Sequence, residues 1–265
     1  MERVAIAAPH AADWALAHGR SALTVPELAD LLGVPHDQVR RRLHAPAQRG
    51  EWVLPVRGLW VAVPPEFRTW GAPPGIEIID TMMRHLAIDY YVGWLTAAAL
   101  HGAAHQSPQV FHVGVERQVR DRVVGRTRFA FAQRDVGQIP VVMHPTRSGT
   151  ARVSSVVATA LDVASDVARS GGLDNAATVI LDLADVEAFT ATGVAELAGR
   201  FPVAAGRRIG FILERFGSQV DLEPLRTAVA DATATPSRLD PSGAAAGPVD
   251  ARWRLYLNRE LEPDT

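Results

Sequence analysis

Apolar residues recur along this chain at two spacings. In "TVPELADLLG", 24–33, Leu28, Leu31 and Leu32 stand three and four apart, the spacing of one helix face. Thr24 and Glu27 form a capping-box pair at the start of that stretch, and Pro26 suits a first turn that has no use for its missing N–H. Gly33 is the expected C-cap. A shorter helix is expected over 10–18, with Trp14 and Ala17 inward. A third should open at Pro35 and run through "HDQVRRRLHA", where Val39 and Leu43 fall on nearly one line. The period then changes. "EWVLPV" and "GLWVAV", joined at Arg57 and Gly58, read as two short strands of a hairpin. Helix, helix, turn, helix and hairpin is the order of a winged helix-turn-helix.

Beyond residue 75 the pattern is mixed. Residues 76–88 and 92–104 read as helices, and 110–115, 127–132 and 140–144 as strands rich in β-branched and aromatic residues. Helices are then expected over 153–169, 174–184, 187–200, 207–217 and 222–232, and a last strand over 252–258. Strands followed by a run of helices predict an α+β fold. The stretch "PPEFRTWGAPPG" resists both periodic structures and reads as a linker, 64–75. It divides an N-terminal winged helix-turn-helix domain, 1–63, from a larger mixed α/β domain, 76–265. Residues 232–250 read as a flexible loop.

Composition narrows the chemistry. All 27 basic residues are arginine, which excludes mechanisms built on lysine, and the absence of cysteine excludes thiolate zinc sites and thiol nucleophiles. The formal charge of −2 means that anion binding must come from local clustering. No signal peptide or membrane span is expected, so the expected location is cytoplasmic. No cofactor is expected.

The densest cluster is "QVRRRLHAPAQRGEW", 38–52. Helical geometry points Arg41 almost directly away from the Val39–Leu43 line and turns Arg40 and Arg42 to either side by ~80°. Gln38 and His44 share the outer face with Arg41. Arg41 suits guanine O6 and N7, and Gln38 suits adenine. Arg40 and Arg42 suit phosphates on either wall, Arg57 at the hairpin tip would lie near the adjacent minor groove or backbone, and Arg49 adds to the same DNA-binding set. Pro46 is expected to end or kink the helix. The plain alternative is a solvated helix face.

Other clusters are weaker. Arg117, Arg120, Arg122, Arg126 and Arg128 lie between two strand-like runs; they read either as a solvated hairpin or as a second basic patch. His101 and His105 have the i, i+4 spacing of a metal pair, but no glutamate completes a zinc motif, and a buried or capping role is the expectation. "RSGGLDNAA" reads as a turn and helix cap rather than a phosphate loop. Asp182 and Asp185 are the carboxylates that a metal-dependent nuclease would need.

The chain resembles the AbiEi family of antitoxin-type regulators. The resemblance lies in 23–63 and in "YYVGWLTAAALHGAAHQSP", "TALDVASDVARSGGLDNAATVILDL", "GRRIGFILERFG" and "RWRLYLNRELEPD", in that order. It implies a non-enzymatic antitoxin that binds inverted repeats in its own promoter, represses the operon and counteracts a nucleotidyltransferase-like toxin. It also implies double-stranded promoter DNA and the toxin as partners, with several copies meeting on DNA. A nuclease targeted by the winged helix, a stand-alone transcriptional regulator and a protein-binding adaptor are the competing readings.

Overall fold

The computed structural model describes residues 5–103, 108–217 and 220–264. Helix α1 (Ala11–Ala17) follows a short 3-10 turn, and strand β1 (Ala22–Thr24) leads directly into α2 (Val25–Leu32). The Glu27 carboxylate accepts the Thr24 N–H at 2.8 Å and its hydroxyl at 2.7 Å, closing the start of α2. Gly33 ends the helix at φ 63°, and its N–H reaches Ala29 O. In α1, Ala11, Ala12 and Ala15 face inward, whereas Ala17 is exposed, against the sequence expectation.

Helix α3 (His36–Gln48) buries Val39, Leu43 and Pro46. The proline neither ends the helix nor leaves the core stripe. It continues the stripe by one further step of three, and its burial offsets the single backbone bond that its ring removes. Strands β2 (Trp52–Val56) and β3 (Leu59–Ala62) form the hairpin, with a register shift between Val53 and Val56. β1 joins as a third antiparallel strand, giving the order β1-β3-β2. Leu23, Leu28, Leu43 and Trp52 close the core of this unit, each leucine contributing about 1.5–3 kcal/mol on burial.

The expected linker is partly ordered: residues 65–70 form a 3-10 helix. Arg68 pairs with Asp13 at 3.0 Å and Arg147 with Glu66 at 2.5 Å, so side chains from both directions hold it.

Helix α4 (Gly75–Leu86) and strand β4 (Tyr90–Val92) precede α5 (Trp94–Leu100). Strands β5 (Val110–Val115), β6 (Arg122–Val124), β7 (Thr127–Gln133), β8 (Val141–Thr146) and β9 (Gly149–Ser154) follow. With β4 they form a six-stranded mixed sheet of order β6-β7-β5-β4-β9-β8. One face, with Val113, Phe129, Phe131 and Val153, packs on Ile79, Met82 and Met83 of α4. The other face meets α5 and α6 (Val156–Ser165); α7 (Leu173–Ala184), α8 (Ala191–Ala198) and α9 (Val203–Arg215) pack on α6, and α10 (Glu223–Ala232) packs on α8 and α9. The mixed α+β architecture therefore layers a sheet between helices.

A small three-stranded sheet closes the fold: β10 (Ser237–Arg238), β11 (Val249–Asp250) and β12 (Leu255–Tyr256). Two buried arginines of α9 hold the segment expected to be a loose loop. Arg207 donates to Thr235 O and Ser237 Oγ at 2.6 and 3.1 Å; Arg208 donates to Leu239 O, Ala164 O and Arg238 O at 2.8–2.9 Å. Trp253, fully buried, lies across α9 at Gly210, where a Cβ would come within 2.0 Å of its ring.

Candidate nucleic-acid interface

The capped α2 and the buried Val39–Leu43–Pro46 stripe fix how α3 rolls on the N-terminal core. Arg40, Arg41, Arg42 and His44 are exposed as a result, and Gln38 is half-buried. Arg40, Arg42 and Arg57 have no ion-pair or hydrogen-bond partner for their guanidinium groups among the described residues. Arg41 Nη2 donates to Gln38 Oε1 at 3.1 Å. The two candidate base readers thus hold each other on one face, a weak exposed bond that a better acceptor can replace.

Arg49 is differently placed. Its Nε and Nη2 donate to the two carboxylate oxygens of Glu51 at 2.7 and 3.0 Å. This bidentate pair raises the Arg49 pKa further and ties up its fork. Arg57 sits at the hairpin tip with its side chain exposed, while its carbonyl takes a 3.1 Å bond with His85 Nε2 of α4. Arg122 Nη1 also donates to Pro55 O at 3.2 Å. Both contacts anchor the hairpin to the larger unit, a coupling that local sequence patterns do not carry.

The second arginine cluster is dispersed. β6 and β7 form a hairpin turning at Gly125. Arg117 caps the end of α4 by donating to Leu86 O and Ala87 O at 3.1 and 2.9 Å. Arg122 lies over the Phe131 ring, 5.7 Å from its centroid, and burial lowers its pKa. Arg120, Arg126 and Arg128 remain exposed. Two of the five are therefore spent on structure.

The remaining candidates do not converge. His101 Nε2 meets Ser154 O at 2.8 Å, and burial lowers its pKa; His105 lies outside the described residues. Asp182 and Asp185 lie at the end of α7. Among the described residues no group of three histidine, aspartate or glutamate side chains could hold a metal ion. No helix of the described residues is long and apolar enough to cross a membrane.

Sequence reading missed a buried polar cluster behind the sheet. Asp162 of α6 is fully buried and accepts the Tyr91 hydroxyl at 3.1 Å; Arg134 Nε lies 3.9 Å away. Burial pushes the Asp162 pKa up to about 7, against the lowering pull of Arg134. Arg134 and Arg169 both lie over the Trp94 ring, 4.9 and 5.3 Å from its centroid. A buried aspartate in an alanine-rich helix has no local sequence mark.

Three comparisons bear on identity. The crystal structure of the RV2827C protein from Mycobacterium tuberculosis is similar in fold, with a TM-score of 0.68 at 15% identity, covering 96% of this chain and 92% of that one. No curated protein matches the chain. Residues 91–215 match the family model described as the AbiEi antitoxin C-terminal domain. This span holds the sheet from β4 onward and the helices through α9, so the chain carries an AbiEi antitoxin C-terminal domain, which supports the role of antitoxin in a toxin–antitoxin pair.

Proposed function

We propose that the chain is an autorepressing antitoxin. Residues 1–63 act as a winged helix-turn-helix that binds inverted repeats in its own promoter, 64–75 connect the two parts, and 76–265 counteract a nucleotidyltransferase-like toxin. The observation that supports DNA binding best is the outer face of α3, where Arg40, Arg41 and Arg42 are exposed and the Arg40 and Arg42 guanidiniums have no partner among the described residues. In this reading α3 enters the major groove. Arg41, Gln38 and His44 face base edges, and Arg40 and Arg42 clamp phosphates on the two walls. Arg57 reaches the adjacent backbone from the hairpin tip. Arg49 joins only after exchanging Glu51 for a phosphate. Two copies on two half-sites supply the specificity that one small module lacks.

The test is a mobility-shift titration on the chain's own promoter. Arg41→Ala is exposed and leaves the core intact, and it should cost about 1–3 kcal/mol of specific binding. Affinity should also fall steeply with salt. Unchanged promoter binding by the variant would remove α3 as the reading element. The toxin arm is tested by co-expressing a neighbouring nucleotidyltransferase-like gene: growth arrest relieved by the full chain is the expected result, and arrest that persists refutes it.

A further inference from the structure

A cleft of about 770 Å³ opens on the sheet face opposite α4. Its floor is set by strand register. Val110 pairs with Arg128 and His112 with Ala130, and all four line the cleft. Asn175, Thr178 and Val179 of α7 form one wall, and the turn before α7 adds Asp166, Arg169 and Gly171.

Two features of this cleft, His112 and Arg128, are unmet by the protein itself. His112 is only 5% exposed, yet its Nδ1 has no hydrogen-bond partner. Burial lowers its pKa to about 4, so the ring is neutral at ordinary pH and offers one donor and one acceptor. The Arg128 guanidinium has no ion-pair or hydrogen-bond partner among the described residues. Helix α7 begins at Leu173, with Gly172 as its N-cap. Gly171 and Gly172 carry φ of +79° and +100° in the turn that leads into α7.

Carboxylates line the cleft as well, and they restrict what can enter. Asp166 is neutralised by Arg169, 3.2 Å away, but Asp121 and Asp264 also border the space. Asp121 Oδ1 already accepts the Phe131 N–H at 2.9 Å. A bare anion would meet these acids without compensation. A ligand must instead bring an anionic group for Arg128, and hydroxyl or amino donors for the carboxylates. The cleft volume lies in the range of small-ligand sites.

We infer that this cleft binds a mononucleotide-class ligand: a phosphate monoester whose hydroxylated, nitrogen-bearing body reaches the carboxylates and His112. The inference is independent of the DNA-binding reading.

Titration calorimetry of the full chain with adenosine and guanosine 5′-monophosphates tests it, with adenosine and inorganic phosphate as separate probes. At least one nucleotide should bind, and each separate probe should bind at least about tenfold more weakly. Arg128→Ala, at an exposed position, should weaken the nucleotide by about tenfold or more while the melting temperature holds. The His112 ring resonances should shift on nucleotide addition. Three results would overturn the inference: no nucleotide binding at millimolar concentration, binding that Arg128→Ala leaves intact, or inorganic phosphate binding as tightly as the nucleotide.

Discussion

Replacing Asp162 by asparagine should remove one pH-dependent contribution to the protein's stability, which the difference between the two proteins isolates. The side chain is fully buried, its Oδ2 has no partner, and Tyr91, Arg134, Asp166 and Arg169 are the titratable or charged groups acting on it. Its folded pKa of about 7 lies above the ordinary 3.8. Between those values the folded chain keeps a proton that the unfolded chain has released. The stability that Asp162 contributes is therefore fully present below about pH 4, falls as pH rises and is gone above about pH 7. A difference of about three pH units at about 1.4 kcal/mol each amounts to about 4 kcal/mol. The substituted amide would keep the shape and an acceptor for the Tyr91 hydroxyl but no titratable proton. Urea unfolding followed by tryptophan fluorescence from about pH 5 to about pH 8 measures the effect. Relative to the native chain, D162N should gain about 2–4 kcal/mol across that window. A difference between the two proteins that stays flat with pH would refute the argument, because it would mean that Asp162 is already charged when buried.

Other outcomes are expected from packing and pairing. Gly210→Ala should destabilise the fold by about 1–3 kcal/mol in the same denaturation assay, since the new Cβ would meet the buried Trp253 ring at 2.0 Å. Glu51→Gln should free Arg49 for a phosphate, strengthening promoter binding by up to about fivefold and steepening the salt slope by about one; an unchanged slope in a salt titration would show that Arg49 stays off the DNA.

The parts of the fold that were legible in the sequence are those fixed by near neighbours. The Thr24–Glu27 pair, the Gly33 cap and the Val39–Leu43 line all act within one helical turn or two. Pro46 defeats the local rule because tertiary burial compensates a lost backbone bond. The short strands β1, β4 and β6 escape because three or so residues cannot display a period; β9 is longer, but its small and polar residues blur the alternation. Arg207 and Arg208 carry charges that normally mark a solvent face. Their acceptors are backbone carbonyls and the Ser237 hydroxyl, 26 to 44 residues away, and no spacing rule anticipates them. The α3 candidates were legible because exposed arginines opposite an apolar stripe need only helical geometry. The cleft around His112 was not, because strand register brings Arg128 to the same face as His112 and a separate turn adds Arg169.

The latch at the hairpin tip has a thermodynamic consequence. The carbonyls of Pro55 and Arg57 are held by Arg122 and His85, both from beyond the linker segment. A rigid hairpin would transmit any displacement of α4 or β6 to the Arg57 side chain. If the chain binds DNA as proposed, a protein partner that shifts those elements would change affinity for DNA, and DNA would change affinity for that partner by the same factor, because linkage between two binding equilibria is reciprocal. On that proposed reading, repression and neutralisation would be coupled through the hairpin latch.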